Sequence, residues 1–138
     1  MKRIGLMSDT HSHLDKKIFK YFEECDEIWH AGDIGTAKLA LELEAFKPFR
    51  AVYGNIDGHE LRSMYPLDLR FNCEGLDVWM THIGGYPGRY NKRVRETIRN
   101  NPTWTFYYGA FPYPQSHARQ KIRLVAYESW CLWNCWFS

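Results

Sequence analysis

No stretch of this chain approaches the roughly 20 consecutive apolar residues that a membrane-spanning helix requires, and the opening MKRIGLMSDTHSHL turns polar too soon for a secretory signal. Charge of one sign is not in excess either. Eighteen basic and 16 acidic residues leave a formal net charge of +2, too little for a field that gathers nucleic acid, so an anionic ligand must be held locally. Cysteine is scarce, and the last pair of the four (Cys25, Cys73, Cys131, Cys135) lacks the C-x-x-C spacing of a redox or zinc motif, so no disulfide framework is expected. There is no internal repeat and no low-complexity linker. What these absences leave is one cytoplasmic domain with no membrane partner, since 138 residues suffice for a single modest core.

Apolar periodicity orders the first hundred residues. RIGLMS (3–8) is a short apolar run followed by the polar turn DTHSH, and in the next segment Leu14, Ile18, Phe22 and Cys25 recur at helical spacing. The unit repeats: DEIWHAG (26–32) is a second strand running into a helix over DIGTAKLALELEAF, where Ala37, Ala40, Leu41 and Phe46 share a face. RAVYG (50–54) is a third strand, ending at NIDG. Strands alternating with helices predict parallel pairing through right-handed crossovers. LDLRFNCEGLDVWMTH instead places two strand-like runs around Glu74-Gly75, which predicts a hairpin leading into a fourth strand end, and KRVRETIRNN reads as a basic amphipathic helix. After Pro102 the pattern fails. Only KIRLVAY (121–127) alternates well enough to be a strand.

Chemistry collects at the strand ends. Asp9 and His11 follow the first strand, Asp33 the second, Asn55 the third and His82 the fourth. In an open α/β sheet the carboxyl ends of the strands line one crevice, which brings side chains together that sequence separates widely. Carboxylate, imidazole and amide oxygen together suit a borderline divalent ion, with Mn²⁺ expected and Fe, Ni, Co or Zn as other choices, better than Mg²⁺ or Ca²⁺. Each residue also has a plain structural reading. Ser and Asp ahead of a helix are ordinary caps, Asp33 suits a cap for the helix near Thr36, Asn55 suits a turn and His82 a loop. Capping explains neither His11 nor His82, and the recurrence at successive strand ends favours a metal site.

The motifs SDTHSH, HAGDIG, YGNIDG and MTHIGG, in this order, resemble the motif set of the calcineurin-like metallophosphoesterases, and most closely their small bacterial and archaeal phosphodiesterases. The resemblance covers residues 1 to about 100 and implies a two-metal site on a four-layer αββα sandwich. It implies that Asp9 and His11 bind one metal, Asn55 and His82 the other, and that Asp33 bridges them. No catalytic side chain is assigned, because the nucleophile implied is a hydroxide shared by the two ions and the substrate a small phosphate ester, with phosphodiesters favoured. Arg89, Lys92 and Arg93 are available for phosphate or leaving-group contacts, although a solvated loop is the favoured reading of them. No pattern specifies an oligomeric state.

Two departures from the family pattern stand out. The position after Asn55, often Cys or His in relatives, is Ile56, so no general acid is assigned there. The later G-H-x-H and N-P-G stretches are absent, and His117 is a lone histidine in PQSHARQ. Both stretches can be written in the next reading frame. Codons for Gly109 to Tyr113, started one base late, allow Gly-His-Ser-His; Trp has the single codon TGG, so Trp130, Trp133 and Trp136 each force a glycine, and YESWC allows Met-Asn-Pro-Gly. On this reading residues 1–101 are the metallophosphoesterase domain and 102–138 an out-of-frame tail, with the C-terminal strands of the sandwich missing or replaced. The alternatives are a non-catalytic interaction module of the same fold, which resembles a retromer subunit, and an inactive truncated product.

Overall fold

The computed structural model describes residues 1–86, 89–100, 105–108 and 123–128. In chain order it contains β1 (Arg3–Ser8), α1 (Lys17–Tyr21), β2 (Glu27–His30), α2 (Ala37–Phe46), β3 (Phe49–Ala51), α3 (His59–Met64), β4 (Asp68–Cys73), β5 (Leu76–Thr81), β6 (Gly85–Tyr86), β7 (Arg89–Tyr90), α4 (Lys92–Asn100), β8 (Thr105–Tyr108) and β9 (Arg123–Glu128). One sheet has the order β3-β2-β1-β9, all parallel; a second has the order β4-β5-β8; β6 and β7 form a small ribbon. β1 is buried over Ile4 to Met7 on both faces, as a strand inside a parallel sheet must be.

Side-chain packing divides the molecule into four layers. Ile18, Leu39, Ala40, Leu43 and Leu61 from α1, α2 and α3, with Phe22 at the end of α1, cover one face of the first sheet, against Met7, Ile28 and Ala51. On its other face Ile4, Leu6, Trp29 and Val52 meet Val78, Met80 and Cys73 of the second sheet. The outer face of that sheet places Trp79 against Val94 of α4, with Tyr90 and Ile98 beside it. The result is the αββα sandwich that the motif order implied. Each fully buried large apolar side chain contributes about 1.5–3 kcal/mol, so the Trp29 and Trp79 layers are where truncation would cost most.

The β4–β5 hairpin turns at Glu74 (φ 52°) and Gly75 (φ 79°), the pair of positive φ angles that a two-residue turn between twisted strands requires. Three expectations need correction. Leu41 does not share the buried face of α2: it is 53% exposed, whereas Ala37 and Ala40 are buried and Phe46 packs against the core as expected, and Leu39 and Leu43 complete the inward stripe that the sheet beneath selects. α3 was not expected, as six residues are too few to show a period. β8 was not expected either, since aromatics flanked by Gly and Pro interrupt alternation; it forms because β5 offers an open edge on which Thr105–Tyr108 pair in parallel. β9 overlaps the alternating run 121–127 and pairs with β1 over six positions, so the strands of this end are not all missing. His117, Cys131, Cys135 and the three tail tryptophans lie outside the described residues, whereas Cys25 and Cys73 are buried free thiols. Among the described residues no helix is long and apolar enough to cross a membrane.

Candidate metal centre

The carboxyl ends of β1, β2 and β3 open on the same side, and the loops that follow are laced together through the main chain. Asp9 N donates to Gly32 O (3.0 Å), His11 N to Asp33 O (3.0 Å) and Ser12 N to Ile34 O (2.8 Å), so the two loops run as a pair. The pairing holds Asp9 (φ 56°), His11 (φ 46°), Ser12 (φ 69°) and Asp33 (φ 56°) in the left-handed region, which non-glycine residues avoid. Such outliers cost of order 1–3 kcal/mol each and persist where the surroundings over-determine them, typically at functional sites.

All five side chains chosen at the strand ends meet here. Asp9, Asp33 and His82 each place one ligand atom within 4.8 Å of the others, a group that can hold a divalent ion. His11 Nε2 lies 3.6 Å from Asp33 Oδ2 and 4.0 Å from Asp9 Oδ1. His82 Nε2 lies 3.3 Å from Asp33 Oδ1 and 3.2 Å from Asn55 Oδ1. The capping alternatives do not hold: α2 is capped by Thr36, whose side chain accepts from Leu39 N, α1 has no side-chain cap, and Asp33 Oδ1 accepts from Ile56 N (3.1 Å).

The donor set has the chemistry of a cation site. His82 Nδ1 donates to the Ala31 carbonyl (2.8 Å), and this bond orients the ring so that Nε2 faces the oxygens of Asp33 and Asn55. Carboxylate oxygens, an amide oxygen and ring nitrogens turned toward one point are the ligand types that a divalent cation takes. Burial lifts the Asp9 carboxyl above its ordinary range, opposed by a hydrogen bond from Ser8 and the attraction of His82, while Asp33 adds to the rise. A divalent ion beside Asp9 would favour its ionised form.

Three supporting residues went unread in the sequence. His30 is fully buried and its pKa is lowered to about 3, chiefly by desolvation. Its Nδ1 accepts from Gly32 N (3.2 Å), so Nε2–H donates to Thr10 Oγ1 (3.0 Å), whose hydroxyl donates in turn to Ile34 O (3.0 Å). That relay ties the Asp9–His11 loop to the Asp33 loop. Asp57, 2% exposed, binds three main-chain amides, Ile34 N (3.2 Å), Gly35 N (2.7 Å) and Gly54 N (2.7 Å), and so ties the Asp33 loop to the Asn55 loop. An ionisable residue inside the apolar strand EIWH was the available sign for His30; Asp57 looks like any turn aspartate. Of the cations considered in the sequence, Arg93 is paired with Asp68 and hydrogen-bonds Thr81 Oγ1 (3.1 Å), while Arg89 and Lys92 are exposed.

Comparison with known proteins agrees with this geometry. Residues 1–125 match the calcineurin-like phosphoesterase superfamily domain. A probable metallophosphoesterase of Methanothermobacter thermautotrophicus is 32% identical over 97 residues, which cover 67% of this chain and 56% of the relative, so the match spans little more than half of that protein's length. An archaeal phosphodiesterase structure superposes with a TM-score of 0.66 at 23% identity, over 91% of this chain and 82% of that one. Vacuolar protein sorting 29 of Cryptosporidium parvum superposes with a TM-score of 0.64 at 10% identity, over 89% and 72% of the two chains. These two likenesses show a shared fold, and the family match over most of the sequence carries the assignment: the chain belongs to the calcineurin-like phosphoesterase superfamily.

Proposed function

We propose that this centre holds two divalent ions, Mn²⁺ first among them, and hydrolyses phosphodiesters. The observation that carries the reading is the convergence of Asp9, His11, Asp33, Asn55 and His82, whose oxygen and nitrogen ligand atoms lie within a few ångströms of one another. Asp33 is central to the reading: its Oδ2 faces His11 and its Oδ1 faces His82, so it would be the shared ligand, with Asp9 and His11 holding one ion and Asn55 and His82 the other. A pair of such ions, when bound, acidifies a water and neutralises charge on the phosphoryl oxygens. The protein's part is to hold the ligands. His82 is oriented by Ala31 O, Asp33 by Ile56 N, and both ligand loops by His30, Thr10 and Asp57. Ile56, 45% exposed, brings no proton donor to the position after Asn55, which favours esters whose leaving group departs readily as an anion.

The unmatched motifs belong to the same proposal. The reading is that 102–138 stands in a frame shifted within about residues 96 to 105, in the gene or only in the sequence as read, and that the displaced Gly-His-Ser-His would complete both metal shells. The family match running to residue 125 and the pairing of β9 with β1 weigh on the other side. Resequencing across codons 90 to 138 decides it. For the function, the test is hydrolysis of bis(p-nitrophenyl) phosphate with Mn²⁺ by the frame-restored protein. Turnover that Asp33→Asn abolishes is the expected result, and undiminished turnover in that variant would refute the two-metal reading. A second reading, a protein-docking surface, draws support from Ile56, Leu67 and Ile83, apolar residues left 42–45% exposed around the same centre.

A further inference from the structure

Beside the metal ligands lies a cleft of about 290 Å³ whose lining includes Asn55 and His82. Its walls include Tyr53, Leu67 and Ile83, and two arginines, Arg62 and Arg93, stand at it. The arginines differ in kind. Arg93 is paired with Asp68, which offsets its charge. Arg62 donates Nε–H to Asp57 O (2.7 Å) and an Nη2 proton to Asn55 O (3.2 Å), both main-chain carbonyls, and its guanidinium lies 4.9 Å from the centre of the Tyr53 ring. Among the described residues no carboxylate forms an ion pair with it. A guanidinium held at two points and stacked on an aromatic ring has already lost much of its freedom, so a ligand that binds it orders little more.

We propose that Arg62 and this cleft form a subsite for a substrate arm that carries a second negative charge, in addition to the phosphoryl group at the metals. The proposal rests on the phosphoester reading of the centre. The phosphoryl charge is met by the ions, which leaves the charge of Arg62 for another anion, a carboxylate or phosphate, matched by the guanidinium fork. Leu67 and Ile83 flank the body of the arm. The space is ample for a six-membered or sugar ring, given that a cavity of about 150 Å³ takes up benzene.

The test compares phenylphosphonate with 4-carboxyphenylphosphonate, identical except for one carboxylate, by calorimetric titration into the full chain saturated with Mn²⁺. The carboxylated ligand should bind about fivefold tighter, the upper range for a solvent-accessible ion pair, and the preference should shrink as salt is added. Arg62→Gln should remove the preference and Arg62→Lys should keep part of it. Arg62 also supports the Asn55 loop, so loss of that support alone would weaken both phosphonates equally and leave their ratio unchanged; that result, or equal binding of the two by the unmodified protein, overturns the proposal. Turnover of bis(p-nitrophenyl) phosphate is scored separately, with the frame-restored protein. Preference without turnover keeps the subsite and sinks the enzyme reading, turnover without preference does the reverse, and binding of neither phosphonate refutes the subsite.

Discussion

Gly54→Ala adds a single methyl group and should disable the metal centre. A Cβ at position 54 would lie 2.0 Å from Asp33 Oδ1, 2.3 Å from Asp33 N and 2.7 Å from Asp33 Cγ. The first of these is roughly 1.5 Å inside the separation at which carbon and neighbouring heavy atoms rest. Backbone lies on one side of the collision and the Asp57 carboxylate holds Gly54 N (2.7 Å) on the other, so the loop has little room to retreat and Asp33 must move. Overpacking of this kind costs about 1–3 kcal/mol of stability, which the fold can survive. The metal site is less tolerant, because ligand distances hold to about 0.2 Å, and a displaced Asp33 should lower Mn²⁺ affinity by at least the 10- to 100-fold typical for loss of a residue that merely orients a ligand. Gly58→Ala is the control: nothing lies within 4 Å of its Cβ, its φ is −77°, and as the N-cap of α3 it should lose less than about 1 kcal/mol. Calorimetric titration of Mn²⁺ into all three proteins, with urea unfolding to confirm that each is folded, gives the answer. A folded Gly54→Ala protein that binds Mn²⁺ as tightly as its parent would refute both the close approach of the two loops and the role of Asp33.

Other outcomes follow from the supporting residues. Asp57→Asn replaces a carboxylate that accepts three amide protons by a group that must turn an NH₂ toward at least one of them; a loss of roughly 2–4 kcal/mol in urea unfolding, with weaker Mn²⁺ binding, is expected, and unchanged stability would show that the tie is slack. His30 has a folded pKa of about 3 against an ordinary 6.5, so below pH 6.5 the unfolded chain binds a proton that the folded chain refuses, and this residue alone removes stability as pH falls from 6.5 toward 3. The loss is about 2 kcal/mol by pH 5, and the slope of stability against pH should flatten by one proton in His30→Gln; equal slopes would show that His30 is not held neutral. Restoring the shifted frame should raise Mn²⁺ affinity by at least 10- to 100-fold, since it adds an imidazole to each ion. If the chain as written already holds two ions, substitute ligands must come from its own tail.

Much of the centre was legible because its residues differ from what their positions need structurally. Asp9, His11, Asp33, Asn55 and His82 each follow an apolar run, and neither His11 nor His82 has work to do as a cap. The supporting shell was less legible. His30 and Asp57 look like an ordinary strand end and turn, and their meaning lies in the Thr10 hydroxyl, 20 positions from His30, and the Ile34 and Gly35 amides, 23 and 22 positions from Asp57, which only folding brings within reach. Arg62 sits in a helix too short to show periodicity, and nothing local marks it as lying over Tyr53 and beside Asn55.

Local information settles what depends on neighbours along the chain. The alternation of short apolar strands with helices, the Glu74-Gly75 hairpin and the order of the four motifs were all present in the sequence, because period, turn conformation and motif spacing are properties of adjacent residues. Tertiary structure decided the rest. It chose which stripe of α2 faces inward, putting Leu39 and Leu43 inside and Leu41 outside, since the sheet beneath selects the stripe. It drew Thr105–Tyr108 into a sheet their own pattern does not demand, because an open strand edge leaves amides and carbonyls to be paired. And it brought Asp33 and His82, 49 positions apart, to 3.3 Å across the junction of the two sheets, a distance fixed by how those sheets pack and by nothing in either motif alone.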